Sequence, residues 1–502
     1  MSTTWNAQPV ITRRPCGRLW DLFFRLPYDA NRGRPVRAMI LGDSQETDVG
    51  GAGIHFAPSL AQAACIFYGN HPETTFLKLG TARKNPGAYP GACAVQAGGG
   101  TQNITSDYLP PGVTDSGRDT LSSHTNNFIL QPDWFSVAPR LGIAGGDWWD
   151  KANASILTDV FALTRPSVSG QMTYYVIRQS LPEGTSGGSQ IDSGTTAMDL
   201  VSDTLSMKSQ TIGPHTFSSS PYLRIQFDGS HASNPCRFAG VRFRNATDTR
   251  GMSFTFFSDG GKMIRDAQID HPNMGAFIRG LGFDFVIRPM GTNDAYSGSG
   301  YTAAEWKAQI LADAAWLRSE VFQDPTFPII YLMDDYRLGG TAGQNTQYDQ
   351  YPGVIDEVEL LIGNVAGVNL RRGTQRSGFG PSTLDLTGLT SKGEWAALTV
   401  YSVNDRVWIK IGTSGFYRHF KCIVAHTSSA TDCPLASDTV AAQSWSEIRM
   451  GASSTQTPDA TSDAIHHSDH EGRTRGWAAF MGMLGAAGAS NPGEWKFASP
   501  MA

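Results

Sequence analysis

Short, unbroken apolar runs that stop at small polar motifs constrain this chain more than any other feature. Ala38-Met39-Ile40-Leu41 runs straight into Gly42-Asp43-Ser44-Gln45, and Phe283-Asp284-Phe285-Val286-Ile287 is followed shortly by Gly291-Thr292-Asn293-Asp294. Phe254 to Phe257 and Pro328 to Leu332 are two more such runs. Runs too short for helices, with little polar alternation, fit strands covered on both faces, as in a parallel sheet between helical layers. Helical pattern separates them. Ala57 to Tyr68 has Leu60, Ala64 and Phe67 at helical spacing, and Thr302-Ala303-Ala304-Glu305 is a capping box. The helix that box opens puts Trp306, Ile310, Ala314, Leu317 and Val321 on one face. Further helices are expected from about Gly353 to Leu370 and from Thr474 to Leu484, the last presenting Trp477, Phe480 and Leu484. Strands alternating with helices predict an α/β fold with helices on both faces of a parallel sheet.

That pattern is interrupted twice. From about 120 to 250 helical runs are scarce, and strand-like segments stand between turns rich in Gly, Ser and Asn. They are Ile156 to Phe161, Thr173 to Ile177, Tyr222 to Phe227 and Phe238 to Phe243. Such a run predicts an antiparallel sandwich or jelly roll. Between 391 and 448, Trp395, Tyr401, Trp408, Phe416, Tyr417, Phe420 and Trp445 crowd into a small strand-like module. At 502 residues, two to four domains are expected. The division read from the sequence is an arm at 1–34, an α/β domain in three pieces (35–97, 251–390, 451–502), and two insertions (98–250 and 391–450).

Composition excludes several classes. The chain is 40% hydrophobic and 17% charged, with 55 Gly and 27 Pro, which suits a folded, turn-rich protein. A net charge of −5 with interspersed signs and no basic block argues against nucleic acid as a partner. No apolar run is long enough to span a membrane, and Met1 to Pro15 lacks the layout of a signal peptide. The six cysteines show neither a disulfide framework nor zinc spacing; Cys422 and Cys433 are near enough in sequence to pair, but free thiols are expected.

The polar motifs supply a serine, a histidine and a carboxylate. Ser44 follows a buried strand, where open α/β sheets bind ligands. A serine alcohol needs a base to take its proton. His466 is the candidate base, and Asp463, three residues earlier, can orient the imidazole and stabilise its charged form. Asn293 can donate a hydrogen bond to a developing oxyanion beside the backbone N–H of Ser44 and of a glycine, Gly261 or Gly260. His466 and His470 also have the i, i+4 spacing of a zinc site, but Ser468 and Gly472 point to a loop leading into a helix, so neither metal nor cofactor is expected.

Taken in order, these motifs resemble the SGNH (GDSL-type) hydrolase family. Gly42-Asp43-Ser44 matches its first block, Gly291-Thr292-Asn293-Asp294 its third, and Asp463-Ala464-Ile465-His466-His467-Ser468-Asp469 its fifth, with Gly261 or Gly260 standing in the second. The resemblance implies a flavodoxin-like three-layer sheet and ester hydrolysis through an acyl-enzyme. It implies Ser44 as nucleophile, His466 as base, Asp463 as orienter, and an oxyanion hole from Ser44, Gly261 and Asn293. Two departures stand out: a long stretch between the first two blocks, and Gln45 where a small or aliphatic residue is usual. The 391–448 segment resembles small chitin-binding modules of chitinases and some viral tail proteins, which makes Trp395, Tyr401, Trp408 and Trp445 candidate sugar-stacking residues. Those rings can equally form the module's own core.

Together these features lead to the expectation of a serine esterase removing O-acetyl groups from a polysaccharide. The alternatives are a non-catalytic glycan-binding or structural phage tail component, and a lipase or thioesterase, against which no long apolar lid is seen. A glycan-directed chain without a visible signal peptide fits a virion tail fibre or spike at the cell exterior, or export by a non-classical or cleaved leader. Its expected partners are an O-acetylated glycan, other tail proteins and further copies of itself.

Overall fold

The computed structural model describes residues 17–43, 56–70, 72–77, 106–108, 110, 125–130, 155–164, 173–179, 189–196, 198–216, 222–228, 237–258, 261–296, 298, 300–333, 342–369, 388–411, 416–429, 433–434, 444–447 and 469–488. Strand β1 (Val36–Gly42) comes first. The helix Phe56–Tyr68 and strands β2 (Glu73–Leu77), β3 (Thr125–Leu130), β4 (Ser155–Leu163), β5 (Thr173–Gln179), β6 (Ser189–Thr195), β7 (Met207–Thr216), β8 (Tyr222–Asp228) and β9 (Arg237–Asn245) follow. Next come β10 (Met252–Ser258), β11 (Phe285–Met290), β12 (Ile329–Met333) and β13 (Val365–Asn369).

Five of these strands form one all-parallel sheet in the order β10-β1-β11-β12-β13. Numbered along the chain, the order is 2-1-3-4-5, the flavodoxin-like doubly wound arrangement. Every residue of β1, β11 and β12 is buried, which is why these segments read as continuous apolar runs. Alternate side chains enter two different cores. Met39, Leu41, Val286, Ile329 and Tyr331 join one cluster with the helices Ala303–Trp316 and Ala342–Leu361. Ala38, Ile40, Phe285, Ile287, Ile330 and Leu332 join a second with the helices Phe56–Tyr68 and Asp469–Gly488. Each fully buried Leu, Ile or Phe contributes about 2 kcal/mol, so the sandwiched sheet is the main source of stability. Among the described residues no helix is long and apolar enough to cross a membrane.

The capping box forms as expected, with Thr302 Oγ1 accepting from the Glu305 N–H at 3.3 Å and Glu305 Oε2 accepting from the Thr302 N–H at 2.9 Å. The face Trp306, Ile310, Ala314, Leu317 and Val321 is buried throughout. Leu19, Leu22 and Phe23, from the segment read as an arm, are buried in the second cluster. Two expectations are corrected. Strand β2 (Glu73–Leu77), inside the 35–97 piece placed in the α/β domain, pairs instead with β9 in an antiparallel sheet. The helix placed at Gly353 to Leu370 is instead Ala342–Leu361, with Pro352 inside it, and Val365–Asn369 is the edge strand β13.

Strands β2 to β9 form two four-stranded antiparallel sheets, β2-β9-β4-β7 and β3-β8-β5-β6. The first sheet packs on the α/β core, with Phe161, Leu163, Met207 and Ala239 in the same cluster as Phe277, Ile278 and Leu281. A buried ion cluster ties the two parts together. Arg37 on β1 donates to Glu73 on β2 from Nε (2.7 Å) and Nη2 (2.9 Å), and Ser253 Oγ on β10 donates to Glu73 Oε1 at 2.7 Å. Arg242 on β9 lies 3.6 Å from Glu73 and donates to the Leu281 carbonyl at 2.9 Å. Burial alone would raise the Glu73 carboxyl, but the Arg37 and Arg242 guanidiniums and the donated bonds outweigh it and hold it at about 2.

The aromatic-rich segment contains β14 (Thr390–Glu394), β15 (Val400–Tyr401), β16 (Asp405–Ile411), β17 (Phe416–Cys422), β18 (His426–Thr427) and β19 (Trp445–Glu447). They make a four-stranded sheet, β14-β16-β17-β19, and a two-stranded one, β15-β18. Tyr401, Val407, Phe420, Cys422 and Trp445 are its core. Cys422 and Cys433 are free thiols.

Candidate active site

In a doubly wound sheet the chain reverses its winding at one point, and the loops there diverge to leave a crevice at the carboxyl ends of the strands. Here β1 is flanked by β10 on one side and β11 on the other, so the reversal lies at β1. Three segments leave the sheet at this place: Gly42-Asp43 after β1, the turn at Gly261 after β10, and Gly291 to Asp294 after β11.

The β11 segment joins the other two. Gly291 has φ +122, a conformation L side chains rarely adopt, so the backbone itself calls for glycine here. That turn starts the short helix Thr292–Tyr296 and buries Asn293 and Asp294. Asn293 Nδ2 donates to Asp43 Oδ2 at 2.8 Å and to the Lys262 carbonyl at 3.0 Å. Residues 250 positions apart are thereby held together beside the end of β1. The two N–H bonds of the Asn293 amide have two protein acceptors, so donation to a substrate oxygen requires one of these bonds to be shared or exchanged.

Asp294 is fully buried and accepts from the Ile264 N–H at 3.0 Å and the Gly291 N–H at 3.2 Å. Burial pushes its carboxyl up to about 7, against the lowering pull of those N–H groups and of Arg288. Arg288, 1% exposed in the middle of β11, donates to Asp313 from Nε (3.0 Å) and Nη2 (2.8 Å), to the Leu41 carbonyl from Nη1 (2.6 Å) and to the Ile264 carbonyl from Nη2 (2.9 Å). Asp313 also accepts from the Tyr331 hydroxyl at 3.1 Å, and burial raises its carboxyl above the ordinary range in spite of Arg288. Beside Gly42 a small crevice is lined by Lys262, Asp266, Asp270, His271, Arg288 and Met290, with Lys262 Nζ donating to Asp270 at 2.8 Å.

Of the expected site residues, the structure brings Asn293 next to Asp43 and puts Gly261 in the turn whose next residue, Lys262, supplies an acceptor to Asn293. Ser44, Gly260, Asp463, His466 and His467 lie outside the described residues. The segment bearing Asp463 and His466 leads directly into the helix Asp469–Gly488. That helix packs on Phe56–Tyr68, the helix after β1, with Phe480 5.7 Å from Phe67 and 5.9 Å from Tyr68 between ring centroids. Among the described residues no cluster of three or more His, Cys, Asp or Glu could hold a metal ion. Of the candidate sugar-stacking rings, Tyr401 is 1% and Trp445 5% exposed, packed edge to face at 5.0 Å, so both serve the module's own core. Trp395 and Trp408 are half-buried, and the Arg406 guanidinium sits 5.7 Å over the Trp408 ring.

Arg288, Asp294 and Asp313 were not singled out by the sequence reading. A signal was present: an arginine inside the buried run before Gly291 demands a buried acid partner, and Asp313 lies in the capped helix Ala303–Trp316.

No family model matches the chain, and no curated protein matches it. Several solved structures resemble it. One described as a peptidoglycan O-acetylesterase is 14% identical with a TM-score of 0.44, over 72% of this chain and 87% of the other. A family two carbohydrate esterase from Cellvibrio japonicus is 12% identical with a TM-score of 0.21, over 59% of this chain and 89% of its own. A carbohydrate acetylesterase from Xanthomonas citri is 10% identical with a TM-score of 0.22, over 65% and 82%. At these identities the chemistry has to be read from this chain's own residues.

Proposed function

We propose that the chain is a serine esterase of SGNH type that removes O-acetyl groups from a polysaccharide. The observation that carries this reading is the Asn293–Asp43 hydrogen bond at 2.8 Å, located where the winding of the sheet reverses. It joins the residue next to Ser44 to the third polar motif. In the proposed mechanism Ser44 attacks the ester carbonyl and His466 takes the serine proton. Asp463 orients the imidazole and stabilises its charge. The N–H groups of Ser44 and Gly261 and the Asn293 amide stabilise the oxyanion. Collapse of that intermediate breaks the bond to the sugar oxygen, which takes the proton from His466 and leaves as the hydroxyl, and water then hydrolyses the acetyl-serine by the same steps.

Two further features support a glycan substrate. The sheet orders β2-β9-β4-β7 and β3-β8-β5-β6 match the double Greek key of a jelly roll, an architecture used by lectins and capsid proteins. In the 390–447 module Trp395 packs against the module's core, which leaves the half-buried Trp408 ring as the candidate for stacking on a sugar.

One observation favours the non-catalytic alternative: the Asn293 amide already has two protein acceptors. Treatment with a fluorophosphonate probe and peptide mapping separates the two readings. Labelling at Ser44, with acetate released from acetylated bacterial polysaccharides, is the expected result. Absence of both, with glycan binding retained, supports the binding protein.

A further inference from the structure

The end of β11 holds both neighbouring loops through buried side chains. We infer that Arg288, held by Asp313, is a positioning residue of the active site: it sets where the loops after β1 and β10 emerge from the sheet. This deepens the esterase reading and rests on it.

The geometry is specific. Arg288 Nη1 donates at 2.6 Å to the Leu41 carbonyl, three residues before Ser44, and Nη2 at 2.9 Å to the Ile264 carbonyl, three residues after Gly261. One planar guanidinium therefore fixes both segments that carry the proposed nucleophile and glycine donor. Asp313, from the helix behind the sheet, takes the remaining face through two bonds and prevents the guanidinium from turning. Asp294 takes the Ile264 N–H, so both polar backbone groups of Ile264 are bound by buried side chains from β11 and the turn after it. Asn293 repeats the arrangement one layer nearer the surface, between Asp43 and the Lys262 carbonyl.

An arginine is needed because the acceptors lie on three separate elements. A lysine ammonium supplies the charge from a single point and cannot span them. A buried ion pair is weak as a stabilising device against an apolar replacement, so simple stability does not account for Arg288 in an otherwise apolar strand. Accurate placement of reacting groups does: a displacement of about 1 Å can cost ~10²-fold in rate.

The test compares wild type with Arg288→Lys and Asp313→Asn on p-nitrophenyl acetate, together with hydrogen exchange and near-UV circular dichroism. Arg288→Lys is expected to lower kcat by about 10²-fold with KM changed less than about twofold, in a folded protein. Exchange should accelerate in peptides covering 37–43 and 261–266 while 329–333 stays protected. Asp313→Asn, which keeps the geometry but weakens the anchor, should give a smaller loss of the same kind. Unchanged kcat with unchanged exchange in both segments would overturn the inference. So would faster exchange spread evenly over all five parallel strands, with kcat per folded molecule preserved, because Arg288 would then be a stability element alone. If wild type hydrolyses no ester, the esterase reading fails, and the exchange arm still judges whether Arg288 fixes the two loops.

Discussion

Replacing Asn293 by alanine separates its two proposed duties. In the folded protein its amide satisfies the fully buried Asp43 carboxylate at 2.8 Å and the Lys262 carbonyl at 3.0 Å. Hydrogen bonds to charged groups contribute about 1.5–3 kcal/mol, so Asn293→Ala is expected to lower the unfolding free energy by about 2–3 kcal/mol in urea. Its loss as an oxyanion donor is expected to lower kcat by ~10²-fold or more, with little change in KM. Asn293→Asp asks a different question. It sets a second carboxylate about 3 Å from Asp43, where unscreened repulsion at an effective dielectric of about 20 is ~5 kcal/mol. That variant should be less stable than the alanine, and its stability should recover at acid pH as one carboxylate takes a proton. Kinetics on p-nitrophenyl acetate and urea unfolding, measured on the same preparations, check both. If kcat of Asn293→Ala stays within about twofold of wild type, the amide is no oxyanion donor. If only KM rises, Asn293 is a substrate contact.

Three further outcomes follow from the same structure. Glu73 is held at about 2 against an ordinary 4.5, so its ionisation stabilises the fold above pH 4.5, and that contribution is lost as pH falls toward 2. The shift corresponds to about 3 kcal/mol; Glu73→Gln should lose at least that at pH 7 and flatten the acid limb of a urea-midpoint profile, and an unchanged midpoint at pH 7 would contradict the buried cluster. Asp294 behaves with the opposite sign: raised from 3.8 to about 7, it adds stability present below about pH 4 that is lost as pH rises to about 7. Asp294→Asn should remove up to ~4 kcal/mol of that slope, and identical slopes in the two proteins would show that the carboxyl ionises normally. Trp408→Ala should spare small-ester turnover and weaken action on polymer by about tenfold, the scale of one stacking contact; equal polymer rates would remove that ring from substrate binding.

The parallel strands were legible because burial on both faces leaves continuous apolar runs, and the capped helix because Thr302 and Glu305 stand at the required spacing. Strand β13 was hidden for two local reasons. Pro352 lies inside the helix Ala342–Leu361, where a proline normally marks a boundary, so the sequence pattern shifted the helix toward the strand. Gly367, in mid-strand, weakens the strand signal yet is required there, since a Cβ would run into Ile355. At the site, motif order alone paired Asn293 with the first block, because polar residues after buried strands gather at one edge of the sheet. The Arg288–Asp313 pair escaped because a single charge in an apolar run looks like a strand end until its partner, 25 residues on, is seen beside it. Half of the aromatic set was misleading for a different reason. A module this small needs its own core, and Tyr401 and Trp445 supply it.

The proposed function stands or falls with Ser44 as the nucleophile after β1. Its most direct test is acetate release from acetylated polysaccharide and turnover of p-nitrophenyl acetate by wild type and by Ser44→Ala, with circular dichroism confirming equal folding. Turnover by wild type and a loss of ~10³-fold or more in the variant on both substrates are the expected results. Near-wild-type turnover by a folded Ser44→Ala protein, or no ester hydrolysis by the wild type, would contradict it.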